Sequence, residues 1–109
     1  MERIKLYHGG EQDKVMDLQY WGLNHNQHFY CTRVQALAEE AQRSHGLDGR
    51  LLELDVPKKI FEGCLAAGYW EERPYMGCMP IDHSTEVVVN PGEGTEIMNK
   101  VIATEKKIF

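Results

Sequence analysis

Apolar and polar positions alternate loosely at the start of the chain, where Ile4 and Leu6 punctuate Arg3 to His8 before Gly9-Gly10. The pattern predicts a first strand that stops at a loop. Glu11 to Leu18 offers Val15, Met16 and Leu18 for packing and predicts a short helix. Tyr20-Trp21-Gly22-Leu23 leads from it into a polar loop, Asn24 to Gln27. His28-Phe29-Tyr30-Cys31 is short and rich in β-formers. The best-defined element follows. Thr32 and Gln35 match a capping box, in which the hydroxyl takes one free backbone N–H and the amide reaches back to another. Val34, Leu37, Ala38 and Ala41 recur at helical spacing and Gly46 is a natural stop, so a helix is predicted over 33–45. Alternation returns over 50–56, with Leu52, Leu54 and Val56 on one face and Pro57 closing the strand. Gly63 to His83 carries glycines, two prolines, Tyr69, Trp70 and Tyr75, and reads as a long irregular segment. Thr85 to Val89 is a strand stopped by Asn90-Pro91-Gly92. The tail predicts a helical turn near Thr95 to Asn99 and a last strand from about Lys100 to Phe109.

With no internal repeat, low-complexity tract or linker, the 109 residues predict one α+β domain over 1–109, with strands dominating its second half. The chain holds 12 Lys+Arg against 17 Asp+Glu, a formal net charge of -5. Phosphate neutralisation needs clustered Lys and Arg, so an all-over nucleic-acid surface is a poor reading; a brief visit to a nucleic acid is not excluded. No apolar stretch approaches the ~20 residues that span a bilayer, and Met1-Glu2-Arg3-Ile4-Lys5 lacks the apolar core of a signal peptide. The expectation is a soluble, cytoplasmic protein with no membrane partner. Cys31, Cys64 and Cys78 are an odd, irregularly spaced set without a Cys-x-x-Cys pair, and predict buried thiols. His8, His25, His28, His45 and His83 show no ligand spacing, so no metal is expected.

Three stretches carry residue types suited to chemistry. In Tyr7-His8-Gly9-Gly10 a histidine ends a strand and glycines follow. Glycines let backbone approach a ligand closely, and the imidazole stands at the mouth of the turn. Alone, this is more simply a strand-end histidine beside turn glycines. Phe29-Tyr30-Cys31-Thr32 runs straight into the capped helix, and a tyrosine there can stack on a flat ring for about 1 kcal/mol beyond burial. Alone, it is more simply a core aromatic. In Ser84-Thr85-Glu86-Val87-Val88-Val89 a carboxylate begins an apolar strand, which costs stability unless it has a task or faces solvent.

In this order the stretches resemble the ADP-ribosyltransferase superfamily, in its diphtheria-toxin-like and poly(ADP-ribose)-polymerase-like His-Tyr-Glu branch. Tyr7-His8-Gly9 is similar to the branch's first-strand Tyr-His-Gly. Phe29-Tyr30-Cys31-Thr32, with Ala36, Ala38 and Ala41 behind it, is similar to its Phe-Tyr-Ser-Thr strand and alanine-bearing helix. Ser84-Thr85-Glu86-Val87 resembles the strand that starts with the catalytic glutamate. The Arg-Ser-Glu branch would place an arginine at His8 and a Ser-Thr-Ser strand, and neither is found.

The resemblance implies a small split antiparallel β-sandwich with one main helix, about 33–45, and short helical turns. A nicotinamide–ribose pocket would lie between its sheets. It implies a minimal mono-ADP-ribosyltransferase, of toxin or effector kind, that takes NAD as substrate and releases nicotinamide. The catalytic residues would be Glu86, His8 and Tyr30, and NAD would be held by His8, Gly9, Tyr30 and Thr32. His8 would hydrogen-bond the adenosine-side ribose, and the Gly9 backbone would clamp the nicotinamide amide. Tyr30 would stack on the nicotinamide ring, and Glu86 would bond the 2′-hydroxyl of its ribose. Tyr69, Trp70 and Tyr75 stand where the family places its target-recognition loop, and would either grip an acceptor or pack over a small core. Ser84 takes the place of the second glutamate of arginine-modifying members, which implies another acceptor. No aromatic stands near Ala41, where the toxin branch has a second stacking tyrosine.

Two readings from other classes stay open. One is a noncatalytic module of the same fold that binds NAD, ADP-ribose or a protein partner. The other is an unrelated small α+β interaction protein whose contact patch is Tyr69, Trp70 and Tyr75. A freely active NAD consumer would harm its own cell, which leaves room for a partner protein that silences it.

Overall fold

The opening alternation forms a strand that runs through both glycines to Glu11 instead of stopping before them. A computed structural model describes residues 2–75, 85–104 and 106–109. In chain order its elements are β1 (Arg3–Glu11), α1 (Gln12–Trp21), β2 (Phe29–Cys31), α2 (Gln35–Arg43), β3 (Gly49–Pro57), α3 (Lys58–Ala67), β4 (Trp70–Pro74), β5 (Thr85–Val89), α4 (Glu93–Thr104) and β6 (Lys106–Ile108). The class is α+β. Two three-stranded antiparallel sheets form, one in the order β1-β3-β6 and the other β2-β5-β4.

The alternating residues of β1 and β3 pair from Arg3↔Pro57 to Glu11↔Gly49, which puts Leu6, Leu52, Leu54 and Val56 on one buried face. In the second sheet Phe29, Cys31, Trp70, Val87 and Val89 are buried. These residues share one core with Val15 of α1, Phe61 of α3, and Met98, Val101 and Ile102 of α4. The sheets touch edge to edge at a single bridge. Tyr7 N–H donates to the Thr32 carbonyl at 2.7 Å, and Thr32 N–H to the Tyr7 carbonyl at 2.9 Å.

Helix α2 lies directly on the outer face of the first sheet, and two glycines make that possible. A side chain at Gly9 would collide with the backbone at Ala38 and Gln42, and one at Gly49 with the Gln42 carbonyl. The close approach at Gly9 is therefore to a helix. Its predicted capping box does not form: Thr32 Oγ1 accepts from Val34 N–H, two residues on, at 3.0 Å, and Val34 rather than Thr32 precedes a helix that starts at Gln35 rather than residue 33.

Several expectations are corrected. Of the residues read as irregular from Gly63 to His83, the first part forms the end of α3 (Lys58–Ala67) and all of β4 (Trp70–Pro74). Phe61 and Cys64 are the buried residues of α3, with Leu65 packed against the same core, and the left-handed Gly68 (φ 78°) ends the helix by donating to the Leu65 carbonyl at 3.2 Å. The predicted turn at 95–99 is the four-residue-spaced middle of a longer helix, α4, and the last strand shrinks to Lys106–Ile108. Among the described residues the second half thus carries two helices, and the main-helix expectation gives way to four helices of 9 to 12 residues. Helix α1 runs on to Trp21, where Gly22 (φ 73°) donates to the Leu18 carbonyl. Among the described residues no helix is long and apolar enough to cross a membrane.

Candidate active site

Beyond the Tyr7–Thr32 bridge a cavity of about 400 Å³ opens between the end of β1, the helix α2 and the start of β5. Four of the residues singled out by sequence reach it from three strands: His8 and Gly9 from β1, Tyr30 from β2 and Glu86 from β5. Thr32 follows β2 and lines it too. Helix α2 contributes Leu37, Ala38, Glu40 and Ala41, Ser44 lines it from just past that helix, and Tyr75 reaches it from just past β4.

His8 is held by its ring. Nδ1 lies 2.8 Å from the Tyr30 carbonyl, and the ring stands 4.7 Å from that of Phe29. A carbonyl only accepts, so Nδ1 carries the proton and Nε2 is left as an acceptor. Burial pushes the His8 pKa below the usual histidine range, against the smaller opposing effect of the Tyr30 bond. The imidazole is therefore neutral near pH 7. A side chain at Gly10 would begin 3.3 Å from Nε2, a tight contact that this second glycine avoids.

Gly9 presents backbone rather than a turn. It pairs with Leu51, whose N–H and carbonyl are both bonded to Phe109, at 3.1 and 2.8 Å. Tyr7, two positions back, directs both of its groups to Thr32. Backbone groups alternate sides along an antiparallel strand, so the N–H and carbonyl of Gly9 face the same open edge as those of Tyr7. There they have no partner among the described residues.

Tyr30 points outward because its neighbours Phe29 and Cys31 point into the core, and its ring is half-exposed. Glu86 stands directly across from Arg73 on β4, and Arg73 Nε donates to Glu86 Oε1 at 3.0 Å. The guanidinium carbon is 6.0 Å from the centre of the Tyr30 ring. The bond to Glu86 holds the Arg73 pKa above its ordinary value. Glu86 Oε2 has no partner among the described residues.

Thr32 serves the fold. Its buried hydroxyl donates to the Thr85 carbonyl at 2.6 Å while accepting from Val34, which fixes the start of β5 against the start of α2. Thr32 keeps its place on the cavity wall beside those bonds. The start of β5 is also held through Thr85 Oγ1, which donates to Glu72 at 3.2 Å; Glu72 in turn pairs with Arg33 at 3.3 Å. Of the two places left open for Trp70, it takes the packed one. It is fully buried, donates from Nε1 to the Gly94 carbonyl at 3.0 Å and packs on Phe61, so it offers no surface to an acceptor. Tyr69 is exposed and Tyr75 is on the cavity wall, so the three expected contact residues have three different places.

Cys31 and Cys64 are free and buried, and burial pushes both thiols above their ordinary pKa, which leaves them protonated and unreactive. Ser84, His83 and Cys78 lie outside the described residues. Arg73 was missed by sequence reasoning because its meaning depends on the β4–β5 register. No family model and no curated protein matches the chain.

Proposed function

We propose that this protein is an NAD-dependent mono-ADP-ribosyltransferase of the His-Tyr-Glu type. The observation that carries the reading is the convergence of His8, the open backbone edge at Gly9, the Tyr30 ring and Glu86 on one cavity, in the order in which the resembling motifs occur. Two antiparallel sheets joined at one bridge support the split sandwich of that superfamily. The cavity volume falls in the ~300–1,000 Å³ range of small-molecule sites.

The charges suit the nicotinamide end of the donor. Among the described residues two carboxylates, Glu40 and Glu86, line the cavity and no Lys or Arg does, although Arg73 pairs with Glu86 from outside the lining. The nicotinamide ring of NAD is a cation, attracted to a carboxylate and to the face of Tyr30. The amide of that ring has one acceptor and two donor hydrogens, which the N–H and carbonyl of Gly9 can satisfy together. Nε2 of neutral His8 accepts from a ribose hydroxyl. Tyr75 supplies an aromatic wall that α2 does not.

In the reaction the bond between C1′ and the ring nitrogen breaks, and its electron pair leaves with nicotinamide, which becomes neutral. The acceptor's lone pair forms the new bond to C1′, and the acceptor gives up its proton. Between these events C1′ gains oxocarbenium character. Glu86 accepts a hydrogen bond from the 2′-hydroxyl and sets negative charge beside that carbon, an interaction that strengthens as positive charge develops.

Nicotinamide release from NAD by the purified protein, with Glu86→Gln as control, tests the reading. Release that disappears in the variant is the expected result; equal release by both overturns the role of Glu86. The absence of an aromatic on α2 favours a second reading, a module that binds NAD without cleaving it. Binding without release under every acceptor tried would select that one.

A further inference from the structure

Arg73 makes contact with both groups assigned above to the cationic half of NAD. Its Nε bonds Glu86 Oε1 at 3.0 Å, and its guanidinium carbon lies 6.0 Å from the centre of the Tyr30 ring, at the outer reach of a cation–π contact. We propose that Arg73 is an internal surrogate for the substrate's cation, a latch that occupies Glu86 and the Tyr30 face until NAD or an acceptor displaces it. The inference rests on the transferase reading and adds a means of regulation to that site.

Three features favour a latch over a support. An arginine that orients a carboxylate does so best with two parallel bonds to its two oxygens, whereas here only Nε engages and only Oε1 is taken. The Arg73 side chain is 50% exposed against 17% for Glu86, and its remaining nitrogens have no partner among the described residues, so little opposes its leaving. An ion pair so exposed on one side contributes little to folding stability.

The third feature is the sign of the charge. Glu86 assists bond cleavage by setting negative charge beside a carbon that becomes positive. A permanent cation on the same carboxylate cancels part of that field and repels both the pyridinium and the oxocarbenium carbon. The resting pair is therefore a low-activity arrangement. An arrangement of this kind suits an enzyme whose unrestrained use of NAD would be costly to the cell holding it.

The test measures nicotinamide release and NAD affinity for the intact chain, for Arg73→Gln, for Arg73→Met, which keeps more of the apolar stem, and for Arg73→Gln combined with Glu86→Gln. Both single variants should release nicotinamide roughly tenfold faster than wild type and bind NAD more tightly. The double variant should release none. Release by both single variants at or below the wild-type rate, with the wild-type signal still dependent on Glu86, would overturn the latch and leave the transferase standing. No release from wild type or from either folded single variant would overturn the transferase reading, and the latch with it.

Discussion

His8 Nδ1 donates to the main-chain carbonyl of Tyr30 at 2.8 Å, so the imidazole of one sheet is oriented by the backbone of the other. That bond fixes the tautomer. It also makes the placement of the histidine depend on the seam between the sheets, where the two backbone hydrogen bonds of Tyr7 and Thr32 lie beside it.

The burial that keeps His8 neutral has a consequence for stability. Its folded pKa lies below the ordinary 6.5, so above that value both folded and unfolded chains carry a neutral ring and His8 adds no pH dependence. As pH falls through 6.5 the unfolded chain takes up a proton that the folded chain resists. Stability is then lost until the folded pKa is passed. Melting temperatures of wild type and His8→Gln across about pH 5 to 8 should diverge on the acid side, with wild type falling more steeply. Parallel curves would show that the ring is not held neutral.

Gly9→Ala separates the two duties of that glycine. A methyl group there would drive into the α2 backbone at Ala38 and Gln42, which cannot yield as a flexible side chain does. The expected cost is about 3 kcal/mol or more by urea denaturation. Gly49→Ala meets the Gln42 carbonyl and should cost about as much, while lying outside the residues that line the cavity. Unchanged stability in both would mean that α2 does not rest on the sheet as described.

What could be read in the chain beforehand was local. Leu52, Leu54 and Val56 announced β3, and Leu37 with Ala38 and Ala41 announced α2, because each pattern repeats within a few residues. His8, Tyr30 and Glu86 were legible as a set through their order along the chain. Helix α3 was hidden by Gly63 within it, and β4 by its run of charges, Glu71-Glu72-Arg73, which reads as loop. Once β4 was missing, so was the Arg73–Glu86 pair, since that contact exists only in the β4–β5 register. The commitments of Thr32 to Thr85 and of Gly9 to α2 are likewise contacts between distant segments, and no periodicity signals them.

Trp70 and Tyr69 are neighbours in sequence with opposite surroundings. Trp70→Ala would empty the core beside Phe61 and leave the Gly94 carbonyl without its donor, at an expected cost of about 3–5 kcal/mol. Tyr69→Ala removes an exposed ring and should change stability by less than about 1 kcal/mol. Denaturant titrations of the two variants decide it. Similar losses in both would contradict the assignment of one to the core and the other to the surface.

Glu86 and His8 should fail in different ways when altered. On the proposed mechanism Glu86 interacts most strongly with C1′ as charge develops, so Glu86→Gln should lower kcat by about 100-fold or more with little change in NAD affinity. His8 touches the ribose in the ground state as well as in the transition state. His8→Ala should therefore weaken NAD binding and turnover together, through loss of the Nε2 acceptor that the Tyr30 carbonyl holds in place. Kd by titration calorimetry beside single-turnover release separates the two. Were Glu86→Gln to lose NAD affinity as much as rate, the carboxylate would be a binding group rather than one that acts on the transition state. A large fall in melting temperature would instead assign it to the fold, through its pair with Arg73.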